Sequence, residues 1–375
     1  MFDIELTTPN RLQYLFSLAL FAFIISHHWH YVLSNKLRIP HSNQYKAHLC
    51  WLIIGIIIYC LADFTNGDYF HYYEEVKRVG HSYYNNLEDI YVFIILNTNN
   101  NYIVFRCTVW LTALLLFYQT IRRVKLDPLL MLYIFAACFI FFFAYARVSL
   151  AMAIYYFGLS FILWPIKNQN LLSKILGALL IVTCFFFHRS SLILIAATFF
   201  IFVPINKKVL LLAVISIPII AHIMQEYLIA LFGSDMINNQ DLLNKFNNYS
   251  QRDIESGIAR MVLNPLKYAC YYIPYIIITY KLYFSGENTP NLSVLRLYKI
   301  TFSIICFASI CFLFDFDNKI LAYRTLYMTF IPMNILIGYS YKSHIISRKT
   351  FMSILSLGIV AHFSRLFYAI YCITQ

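Results

Sequence analysis

Apolar residues arrive along this chain in long blocks, most of roughly 17 to 25 residues, separated by short polar connections. A helix needs about 20 apolar residues to cross a hydrocarbon layer about 30 Å thick, whereas a membrane barrel shows alternating segments of about 10. The blocks predict helices near 12–34, 47–63, 102–120, 128–145, 148–164, 172–187, 190–204, 208–230, 265–284, 295–314, 322–340 and 351–371. The expected fold class is therefore all-α, a polytopic integral membrane helical bundle of about twelve transmembrane helices. Residues 1–375 read as a single membrane domain with two longer connecting segments, about 64–101 and 231–264. Neither is apolar or long enough to form a folded domain of its own.

Charge gives the bundle an orientation. Lysines and arginines collect in alternate connections: Lys36, Arg38 and Lys46; Arg122, Arg123 and Lys125; Lys167 and Lys174; Lys207 and Lys208; Lys281, Arg296 and Lys299; Lys342, Arg348 and Lys349. Basic loops stay in the cytoplasm. The other set carries Asp68, Glu74, Glu75, Glu88, Asp89, Asp235, Asp241, Asp253, Asp315 and Asp317, which supports the same orientation. Both termini and both longer segments then lie on the non-cytoplasmic side.

Composition agrees: 61% of residues are hydrophobic and only 12% charged, against about 25% charged in an average soluble domain. The net charge of +12 is accounted for by the cytoplasmic loops, so nucleic acid is not an expected partner. Asp3 and Glu5 stand where a secretory signal would carry lysines, and the first span is expected to be retained. The nine cysteines form no CxxC pair and lie in or beside apolar spans, which argues against a disulfide framework or zinc ribbon. Glycine-rich nucleotide motifs and a GxSxG elbow are missing, and no cofactor is expected.

Three arginines break the charge rule. Arg147 sits inside FFFAYARVSLAMAIYYF between two apolar runs, and with this orientation Arg147, Arg189 and Arg324 all fall on short outer connections. They open the fifth, seventh and eleventh spans. Unpaired amides and the positive dipole end favour an anion at a helix start, and guanidinium adds a fork of donors suited to phosphate oxygens. Ser149, Ser190 and Ser191 stand beside them as further donors or caps. The alternative is that each arginine reaches lipid headgroups or pairs with a nearby acid. Taken together, the three predict binding of an anionic group at the outer leaflet, such as a lipid-linked pyrophosphate.

The outer segment 64–89 mixes carboxylates with tyrosines, a combination that suits sugar hydroxyls and ring faces but also an interfacial aromatic belt. Asp68, Tyr72 and Glu88 are the saccharide-binding candidates, Asp68 directly after the turn-forming Asn66-Gly67. Asp68 and His188 are candidates for proton transfer, with Arg147 completing a catalytic set. Asp315-Phe-Asp317 has the spacing of a divalent-metal pair, with helix capping as the competing use; no metal is expected. The cluster His27, His28 and His30 reads as interfacial.

The order of these motifs resembles the EpsG-like branch of Wzy-type O-antigen and exopolysaccharide polymerases. Gly67-Asp68 is similar to that family's Gly-x-Asp outer loop, Arg147 with Ser149 and Ala151 to its Arg-Gln-x-x-Ala helix start, His188 with Ser190 to its His-Lys-Ser turn, and Arg324 to its late arginine. Leu61-Ala62-Asp63 replaces the arginine usual before the loop, and Val148 replaces the usual glutamine. The resemblance implies a membrane glycosyltransferase of the bacterial inner membrane with a periplasmic active face. It would transfer a growing glycan from undecaprenyl pyrophosphate onto a lipid-linked repeat unit in lipopolysaccharide or other polysaccharide biosynthesis. The implied partners are undecaprenyl-pyrophosphate-linked oligosaccharide, membrane lipids and a chain-length regulator protein.

Two other readings share the cationic requirement. A flippase for lipid-linked oligosaccharide would line a central cavity with cations, often between internal repeats, whereas here the unexplained arginines gather on one face. An O-antigen ligase-type transferase would use the same donor with a different acceptor, and an acyltransferase is a further membrane-transferase possibility.

Overall fold

The computed structural model describes residues 19–27, 43–61, 75–77, 79, 87–139, 146–165, 171–204, 212, 216, 272–282, 291–314 and 325–360. Among these residues the regular structure is helical. Two helices, Tyr102–Val124 and Leu292–Ser309, are long and apolar enough to cross a membrane; the 23 residues of the first span roughly 35 Å. The count of twelve spans rests on the sequence alone. The chain divides into two compact units, one made of 1–192 with 355–375 and the other of 193–354.

The first unit contains helices α1 (Asn43–Leu61), α2 (Asp89–Asn97), α3 (Tyr102–Val124), α4 (Pro128–Ile134), α5 (Ala146–Leu163) and α6 (Leu171–Phe187). Their limits follow from local chemistry. The Asn101 side chain caps α3 by accepting from the Val104 amide at 3.2 Å, and Arg122 and Arg123 sit in its last turn where the dipole is negative. Lys125, at φ 60°, ends it. Asp127 then caps α4, accepting from the Leu130 amide at 2.8 Å, and Pro128 takes the first helical position, where no amide is needed. The Tyr45 hydroxyl ties α1 to this cap, donating to Asp127 Oδ2 at 3.1 Å and accepting from the Leu129 amide at 3.2 Å. Past α4 the chain widens into a π-helical stretch, Phe135–Phe139, all of it buried.

The segment 64–101 contains α2. Its nine residues, DIYVFIILN, would reach only about 13 Å, less than half of a hydrocarbon layer. The chain reverses into α3 through Asn99 and Asn100 at φ 53° and 55°, a left-handed pair that asparagine tolerates better than most residues.

Helix α5 is the centre of this unit. From Val148 to Tyr156 every residue is buried, as expected of a helix apolar on all sides. It packs closely along α6, and the contact point is a pair of glycines. A Cβ on Gly158 would lie 2.8 Å from the Gly177 carbonyl oxygen, and one on Gly177 would lie 2.8 Å from the Gly158 oxygen. Small residues let helix backbones touch in this way. The far face of α6 carries Leu172, Ile175, Leu176, Leu179, Val182 and Phe186, all exposed.

Helix α7 (Leu192–Thr198) leads into the second unit and a 3-10 turn at Phe199–Phe202, and Lys299 of α8 (Leu292–Phe314) donates to the carbonyls of Ile201 at 3.3 Å and Val203 at 2.7 Å. Tyr298 of α8 stacks on Tyr275 and its hydroxyl lies 2.6 Å from Thr279 Oγ1. Helix α9 (Phe330–Lys342) is buried over most of its length.

Candidate active site

The site grows out of the glycine crossing. Helices α5 and α6 run antiparallel, Arg147 lies eleven residues before Gly158, and His188 lies eleven residues after Gly177. Equal arms of roughly 16 Å bring the two residues to the same level at one end of the pair.

Glu88 meets them there. It is the residue immediately before α2, in extended conformation, with its own carbonyl accepting from the Tyr91 amide at 2.8 Å. A residue in that position commonly turns its side chain back to cap the helix. Glu88 makes no such bond. Its carboxylate reaches across instead: Oε2 accepts from Arg147 Nη1 at 3.0 Å, and Oε1 lies 3.2 Å from His188 Nδ1. All three side chains are largely buried, at 12 to 17% exposure. Burial alone would raise the Glu88 carboxyl, but the His188 hydrogen bond and the Arg147 charge outweigh it and hold the group down at about 2. Glu88 is therefore a carboxylate at any ordinary pH.

Tyr91, one turn further along α2, fixes the backbone under this cluster. Its buried hydroxyl donates to the Arg147 carbonyl at 3.2 Å, and its ring packs edge-on against Phe187 and Phe105. The chain breaks at His188, which is extended at φ −163°, ψ 119°, before a single 3-10 turn at Arg189–Ser191. Ser191 holds that break, its amide and hydroxyl both donating to the His188 carbonyl at 2.9 and 2.7 Å. Ser191 thus serves the turn, and Ser149 is buried within α5.

Of the residues expected from the sequence, Arg147, His188 and Glu88 come together. Arg189 is exposed and makes no ion pair among the described residues. Asp68, Tyr72 and Arg324 lie outside the described residues, as do His28, His30, Asp315, Asp317 and the segment 231–264. His27 stacks between Phe23 and His48. From the sequence Glu88 is a candidate for sugar contact and pairing with an acid is the alternative use of each arginine; the structure joins the two. Tyr91 was missed; its signal is the spacing of three from Glu88, which sets both residues on one turn.

A family model described as the EpsG family matches residues 47–374, a range that includes every element of this cluster. The chain belongs to the EpsG family. This is a family of Wzy-like polymerase-type membrane proteins, which bears out the resemblance seen in the motifs. Membership makes this EpsG protein a membrane protein of polysaccharide biosynthesis with a glycosyltransferase-like, polymerase-type activity. No curated protein and no solved structure matches the chain.

In an EpsG protein the cluster has a defined chemical capacity. A guanidinium at the first turn of a buried helix suits phosphate oxygens. An imidazole 3.2 Å from the same carboxylate can accept a proton.

Proposed function

We propose that this EpsG protein is a repeat-unit polymerase of O-antigen synthesis. It transfers a growing glycan from undecaprenyl pyrophosphate onto the sugar of a new lipid-linked repeat unit at the periplasmic face of the bacterial inner membrane. The observation that carries this reading is the linkage of Arg147 to His188 through Glu88, which joins an anion-binding group to a proton acceptor in one cluster.

In the transfer, the oxygen of an acceptor hydroxyl forms a bond to the anomeric carbon of the donor sugar. The bond from that carbon to the pyrophosphate breaks, and its electron pair leaves on the phosphate oxygen. Arg147, with Arg189, stabilises the charge as it develops there. His188 takes the hydroxyl proton. Asp68 and Tyr72 contact the sugars, and a chain-length regulator works beside the enzyme. The pyrophosphate already activates the donor, so no nucleotide sugar is needed.

The test is to incubate purified wild type and Arg147→Ala with lipid-linked repeat units, without nucleotide sugar, and resolve the products by length. A ladder from wild type that collapses in the variant is expected. Folded wild type that yields no ladder overturns the reading in favour of transport or ligation.

A further inference from the structure

His188 has two ring nitrogens, and only one of them can receive a proton. The identity of that nitrogen follows from Glu88. A carboxylate only accepts hydrogen bonds, so the 3.2 Å contact between Glu88 Oε1 and His188 Nδ1 requires a hydrogen on Nδ1. A neutral imidazole carries one ring hydrogen. With that hydrogen on Nδ1, the lone pair is on Nε2, whereas a solvated histidine side chain favours the opposite tautomer.

Other features of Glu88 agree. The carboxylate forgoes capping its own helix, and it is largely buried at 12% exposure. Its second oxygen is bound by Arg147, which prevents the group from rotating away from His188. Tyr91 ties α2 to the backbone of Arg147, and Ser191 fixes the turn that carries His188. A carboxylate fixed on one ring nitrogen while the other acts as base is the arrangement in which a carboxylate sets the tautomer and steadies the imidazolium as it forms.

We infer that Glu88 is the positioning residue of the transfer: it holds His188 in the Nδ1–H tautomer, so that Nε2 takes the proton of the attacking hydroxyl, while its other oxygen sets Arg147. This inference rests on the polymerase reading for its catalytic part. Its proton accounting closes. The hydroxyl proton passes to Nε2, the imidazolium is stabilised by the Glu88 carboxylate, and His188 later releases the proton to water. The negative charge created in the step resides on the departing pyrophosphate. Glu88 then acts through protein groups rather than on sugar.

Two measurements on the full-length protein test it. In the first, kcat and KM of ladder formation from lipid-linked repeat units are compared for wild type, Glu88→Gln, His188→Asn and the double variant. Glu88→Gln is expected to lower kcat about 100-fold, the lower end of what general-base catalysis supplies, with little change in KM. The double variant should be slower than His188→Asn by much less than 100-fold, the remainder coming from the Glu88 contact to Arg147. In the second, nitrogen-15 spectra of histidine-labelled wild type are recorded, with the His188 signals identified by their loss in His188→Asn. The Nδ1–H tautomer is expected. An Nε2–H tautomer in wild type overturns the inference even where Glu88→Gln fails to fold. So does a wild-type ladder with kcat unchanged in Glu88→Gln, an outcome that leaves the polymerase reading intact. Absence of a wild-type ladder, by contrast, removes the polymerase reading, and with it the catalytic part of the inference.

Discussion

Arg147 Nη1 and Glu88 Oε2 lie 3.0 Å apart and join positions 59 residues distant in the chain. The pair closes the turn before α2 onto the start of α5, so it is a structural tie as well as part of the candidate active site. In a double-variant cycle of Arg147→Ala and Glu88→Ala, followed by thermal unfolding in detergent, a coupling of roughly 1.5 to 3 kcal/mol is expected, the range for a charge-assisted hydrogen bond. Strict additivity would show that the contact contributes nothing to stability.

Arg147→Lys separates charge from geometry. Lysine keeps the positive charge but lacks the planar fork that matches phosphate oxygens. The variant is expected to fold and to lose at least about tenfold in polymerisation rate, a difference of about 1.4 kcal/mol in barrier. Full activity in Arg147→Lys would reduce the arginine to a point charge.

Acid acts on the cluster through Glu88. Its carboxyl has an ordinary value of 4.5 and is held at about 2 in the folded protein. A depressed carboxyl adds stability that is complete above the unfolded value and is lost as the pH falls toward the folded one. Thermal stability should therefore decline between about pH 4.5 and 2, with a shallower decline in Glu88→Gln. Parallel curves for the two proteins would place the acid sensitivity elsewhere.

Tyr91→Phe removes the hydroxyl that donates to the Arg147 carbonyl and keeps the ring between Phe187 and Phe105. A loss of about 0.5 to 1.5 kcal/mol is expected in the unfolding midpoint, and Tyr91→Ala should cost about 3 to 5 kcal/mol through the cavity it leaves. Equal losses in the two would mean that the hydroxyl, rather than the ring, carries the contact.

Gly177→Leu drives a side chain into the Gly158 carbonyl and the Phe161 Cβ, both 2.8 Å from the new Cβ. A cost of about 1 to 3 kcal/mol or more is expected from overpacking. Leu176→Ala, on the exposed side of the same helix, should stay within about 0.5 kcal/mol. The two variants differ by one position, so a comparable loss in both would refute the glycine contact as the packing point.

Much of this architecture is visible as pattern. The blocks at 102–120, 148–164, 172–187 and 295–314 correspond to helices Tyr102–Val124, Ala146–Leu163, Leu171–Phe187 and Leu292–Phe314, because each apolar run ends at charged or turn-forming residues that a helix cannot bury. The block at 190–204 became a 3-10 turn, a short helix and a second 3-10 turn. Hydropathy registers what is apolar and not how its hydrogen bonds are arranged, so the break at His188 leaves no mark in it. Helix α2 was hidden by length, since nine apolar residues inside a polar segment resemble an interfacial patch. Arg147 and His188 stood out as polar groups at helix ends. Their union through Glu88 did not, because the choice of partner depends on which ends the fold brings together. The equal spacing of Arg147 from Gly158 and of His188 from Gly177 was present in the sequence, but it acquires meaning only once the two glycines are known to touch.

That touching point is a fulcrum. With arms of roughly 16 Å, a tilt of about 5° between the two helices swings their ends by about 1.4 Å, more than the whole span of hydrogen-bonding distances from 2.7 to 3.2 Å. The alignment of a guanidinium and an imidazole is thus governed by two residues that have no side chain, and a change of angle at the crossing would engage or disengage both groups in a single motion.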